Sequence, residues 1–81
     1  INTLTKRAEG LGLNVVEIEA ETKRANPKNY SAYFTQICVN RLRDKIPTLP
    51  EQMVRDALWG KSPAAYTAVT GAILMAEDAR C

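Results

Sequence analysis

The longest run of apolar positions at helical spacing lies between Pro27 and Ile46, PKNYSAYFTQICVNRLRDKI. Projected on a helix, Tyr30, Tyr33, Phe34, Ile37, Cys38, Val39, Leu42 and Ile46 cover well over half the circumference. Asn29, Gln36, Asn40 and Arg43 gather on a narrow polar strip. A helix this apolar packs against neighbours on more than one side, so the pattern predicts a central helix. Asn26-Pro27 supplies a start signal, with Asn as cap and Pro at the first helical position. Pro47 disfavours helical geometry at Ile46 and ends the element.

The flanking segments carry weaker patterns. In residues 14–26, NVVEIEAETKRAN, Val16, Ile18 and Ala20 alternate with Glu17, Glu19 and Glu21 as in a strand. Against that, Asn14 and Glu17 have capping-box spacing, and Glu19 and Lys23 form a favourable i,i+4 pair. The glutamates also precede Lys23 and Arg24, the order that suits the helix dipole. A lone strand would have no evident partner elsewhere in the chain, so a helix is expected. Thr48 and Glu51 repeat the capping-box spacing, with Pro50 tolerated in a first turn. Leu49, Met53, Val54, Ala57 and Leu58 then mark one face of a short third helix, closed by Gly60 in a left-handed conformation.

Ser62-Pro63 opens a last helix, in which Ala65, Ala68, Ala72, Ala76 and Ala79 form a stripe of small side chains. Such a stripe lets helix axes approach more closely than the usual distance of about 8–10 Å, and the expected partner is the central helix. Thr67, Thr70, Glu77 and Asp78 would face solvent, with Leu74 alone among them. Gly71 costs about 1 kcal/mol relative to alanine inside a helix, which suggests a close neighbour there. Residues 1–13 offer a short helix or a loosely held arm, with Leu4 and Ala8 on one face and Gly10 and Gly12 at its end.

Short connections favour antiparallel neighbours. The expected fold is all-α: a small up-and-down bundle of about four helices with a short N-terminal helix or arm, in one domain over residues 1–81. A hydrophobic share of 46% with 25% charged residues fits a globular, soluble chain and argues against disorder. No apolar run reaches the roughly 20 residues of a membrane span, and no signal-peptide pattern is present. The first residue is isoleucine, which fits a chain processed or cut from a longer precursor, with an organellar or exported protein or a cloned fragment as open readings.

Candidate chemistry narrows the picture mainly by what is missing. The chain has no histidine, which removes the commonest general base and transition-metal ligand. Cys38 falls in the apolar sector of the central helix and reads as a buried thiol, while Cys81 is the last residue. An internal Cys38–Cys81 bridge is awkward in the expected layout, because Cys81 projects past the far end of the bundle. Glu17, Glu19 and Glu21, and Glu77 with Asp78, lie on expected solvated faces or ends. No P-loop, dinucleotide fingerprint, calcium loop or zinc spacing occurs. A protein without catalytic residues, cofactor or metal is therefore expected.

Two binding roles are left. Surplus apolar surface predicts a non-enzymatic helical subunit or docking module that stabilises a larger protein assembly or a homo-oligomer. Trp59, Leu74 and Cys81 are its candidate contacts, Trp59 reading either as a lid on the core or as an exposed anchor, since tryptophan is enriched at binding hot spots. The alternative is a small nucleic-acid-binding module using Lys28, Arg41, Arg43 and Lys45, with Tyr30 and Tyr33 near enough to stack on bases. Six basic residues lie between Lys23 and Lys45 against the single acid Asp44, although they divide between the two ends of the central helix. Residues 34–58 bear a low-specificity likeness to the box motifs of ubiquitin-ligase adaptors, through Cys38 and the Leu49-Pro50 pair. Phe34 stands where those motifs usually have leucine and the second proline is missing, so this likeness identifies no family.

Overall fold

The computed structural model describes residues 2–80, with side chains described over 3–77. Among the described residues the chain forms five helices and no strand. They are α1 (Asn2–Gly10), α2 (Val15–Ala25), α3 (Tyr30–Lys45), α4 (Glu51–Trp59) and α5 (Pro63–Arg80). The ambiguous stretch is thus a helix, and its start is the expected one. Asn14 caps α2, accepting the Glu17 backbone N–H at 3.3 Å. Ser62 caps α5 in the same way, its Oγ accepting the Ala65 N–H at 3.2 Å. Gly60 closes α4 at φ 69°, a left-handed conformation that glycine adopts without a Cβ penalty.

Two helix starts differ from expectation, each for a local reason. α3 begins at Tyr30, and its cap is Asn29, whose side chain accepts the Ala32 N–H at 3.1 Å. Asn26 instead ends α2 in a left-handed conformation at φ 49°, donating its N–H to Thr22 and Lys23. A residue committed to closing one helix is not free to open the next, so Pro27 sits in the connection. α4 begins at Glu51 after Pro50, and no side chain caps it. The Thr48–Glu51 capping box does not form.

The buried core draws on α1 to α4, the connections between them and Val69 of α5, with Ala65, Tyr66, Ala72 and Ile73 packed against it. Leu4, Ala8, Leu11, Leu13, Ile18, Phe34, Cys38, Val39, Leu42, Leu49, Val54, Ala57, Leu58 and Val69 are buried together. α1 is therefore part of the core rather than a loosely held arm. Its apolar residues are covered by α4 and α2. Two buried threonine hydroxyls are satisfied within their own helices: Thr22 donates to the Ile18 carbonyl at 2.8 Å and Thr35 to Ser31 at 2.7 Å.

The partner of α5 is the principal correction. α5 packs on α4, not on the central helix, because only residues 60–62 separate the two and the chain turns straight back. α3 is already flanked by α2 and α4. α5 comes alongside the end of α3, where Ile73 and Ala76 line a crevice with Lys45 and Ile46. The alanine stripe is correspondingly open: Ala65, Ala72 and Ala76 are half-buried and Ala68 is exposed. The side chain of Ala79 lies outside the described residues. Gly71 has no close neighbour either, since a Cβ built there would meet nothing within 4 Å.

Candidate functional site

Helix length decides which apolar surface stays uncovered. α4 has 9 residues and α5 has 18, which at 1.5 Å per residue gives lengths of about 14 and 27 Å. The second half of α5 therefore runs on past the helix it packs against. Leu74 and Met75 on that half are 58% and 73% exposed. Trp59 ends α4 and is 46% exposed, beside Gln52, Arg55, Asp56 and Lys61 in a shallow depression. It lies near the start of α5, whereas Leu74 stands about 16 Å further along the α5 axis, counted from Pro63. The structure exposes both residues but does not join them in one patch. Cys81 lies outside the described residues, and with it any bridge to Cys38.

The four basic residues of the alternative reading are also dispersed. Arg41 donates from Nη2 to Glu17 at 2.9 Å and Glu21 at 2.7 Å, tying α3 to α2. These hydrogen bonds, Glu17 first, raise the pKa of its guanidinium further above the ordinary value. Arg43 donates from Nε to the Leu49 carbonyl at 3.2 Å and lies 3.8 Å from Glu51. Glu51 in turn accepts from Arg55 at 3.2 Å, and Arg55 also donates to Gln36 on the polar strip of α3. Gln36 and Arg43 of that strip thus tie α3 to α4.

Lys28 and Lys45 are exposed at opposite ends of α3, a helix about 24 Å long at 1.5 Å per residue. At the α2–α3 corner the balance is different. Lys23, Arg24 and Lys28 are exposed and carry no ion pair among the described residues, and no acidic residue occurs between Glu21 and Asp44. The first turn of α3 has none either. Tyr33 is 41% exposed one turn into the helix, and Tyr30 stacks on Phe34 with ring centroids 6.2 Å apart.

Cys38 is fully buried and free, as its place in the apolar sector suggests. Burial pushes its thiol up to about 12, against a smaller opposing effect of the nearby Arg41 charge. A thiol held protonated is a weak nucleophile. Among the described residues no three of His, Cys, Asp and Glu converge as a metal-binding group. No described helix is long and apolar enough to cross a membrane.

Two residues hold places that the sequence pattern does not signal. Met75, beside the alanine stripe, is among the most exposed apolar side chains. Arg7 reaches the C-terminal end of α4, its Nη1 3.5 Å from the Leu58 carbonyl, with the guanidinium against Gly60. A cation at a helix C-terminus is favourable, but a partner 51 positions away leaves no local signal. Compared with models of protein families, with curated proteins and with solved structures, the chain matches none.

Proposed function

We propose that this chain is a non-enzymatic helical subunit or docking module that binds and stabilises a larger protein assembly. The observation that supports this reading is the exposed face of the second half of α5, where Leu74 and Met75 stand in solvent on a helix that outruns its only extensive partner. Apolar surface left open in this way is stabilised when a partner removes it from water, by about 25 cal/mol per Å² buried. The contact would be centred on Leu74 and Met75, with Trp59 a separate anchor at the far end of α4. In the proposed arrangement the helices run up and down as a small bundle from which α5 projects.

Sedimentation equilibrium of the chain, with and without reductant, is the first test. Self-association, or a chain that stays in solution only with a partner, supports the docking reading, and reductant sensitivity would bring in Cys81. A 9 kDa monomer under both conditions, unchanged by Leu74→Ser and Met75→Ser, counts against it.

A second reading rests on the α2–α3 corner. Lys23, Arg24 and Lys28 are exposed cations at the corner that precedes Tyr33, and they suit the phosphates of a nucleic acid better than the ion-paired Arg41 and Arg43. With three phosphates neutralised, the slope of log affinity against log salt is about −2 for a single strand. Anisotropy of a labelled oligonucleotide at low salt tests this reading. Absence of binding there, or a slope unchanged by the joint Lys23→Ala, Arg24→Ala, Lys28→Ala variant, would remove it.

A further inference from the structure

We draw no further inference here: the strongest candidate, the exposed face of α5 around Gly71, Leu74 and Met75, is an unpartnered apolar surface already used in the proposed function, and nothing in the structure shows what covers it.

Discussion

α3 and α5 are of similar length, 16 and 18 residues, and both are apolar around most of their circumference. Their fates differ. α3 buries Phe34, Thr35, Cys38, Val39 and Leu42 between α2 and α4. α5 buries one residue among those described, Val69, and leaves Leu74 and Met75 in solvent. An apolar helix reports a need for cover without saying where the cover comes from. For α3 it comes from the chain's own neighbours. α5 has the shorter α4 as its one extensive neighbour among the described residues.

The sharpest way to test this contrast is to truncate the aromatic core of α3. Phe34 is 1% exposed, so Phe34→Ala should cost about 3–5 kcal/mol in urea unfolding. A loss under about 1 kcal/mol would mean that α3 is not central. Next comes the pH dependence carried by Cys38. Burial in the fold pushes its thiol from the ordinary value near 9 up to about 12. The folded state therefore holds the proton more tightly. This contribution is present below pH 9 and declines as pH rises from 9 towards 12, by up to about 1.4 kcal/mol per pH unit. Cys38→Ala should flatten that part of the stability profile, and an unchanged slope would refute the assignment.

Two glycines should respond in opposite directions. Gly60→Ala puts a side chain at φ 69° and against the Arg7 guanidinium. Left-handed backbone alone costs about 1–2 kcal/mol for a residue with a Cβ. Gly71→Ala meets open space and should raise the unfolding free energy by about 1 kcal/mol. If that variant is destabilised, α5 is covered in the isolated chain after all. The smallest effect belongs to Leu74→Ala, expected within about 0.5 kcal/mol on folding while weakening assembly. A larger folding cost with assembly intact would move Leu74 from the binding surface into the core.

What the sequence discloses and what it withholds divide along the same line. Asn14 with Glu17, Ser62 with Pro63, and Gly60 act within a turn of where they stand, and each signal is realised in the fold. Asn26 also acts locally, but it belongs to two adjacent patterns, and the end of α2 prevails over the start of α3. The alanine stripe names a close approach without naming the approaching helix. That choice depended on the three-residue turn before α5 and on α3 already being flanked. Dispersal of the candidate contacts was legible in part. The split of the basic residues between the ends of α3 follows from spacing alone. Capture of Arg41 by Glu17 and Glu21 does not, because it requires α2 to lie against α3 at one register.

Every extensive helix pairing but one joins helices consecutive in the chain, the exception being α1 on α4. Local pairing of this kind belongs with folding in microseconds to milliseconds. Closing α1 onto α4 means gathering the roughly 40 residues between them, an entropic cost of about 3 kcal/mol. That makes α1 the natural last step of assembly and the first to reopen. Because Arg7 rests against Gly60, and the Tyr66 hydroxyl against Gly10, such an opening also loosens the α4–α5 turn. Amide hydrogens of α1 should then exchange ahead of those in α3, so that a clasp at one end of the sequence sets how firmly the other end is held.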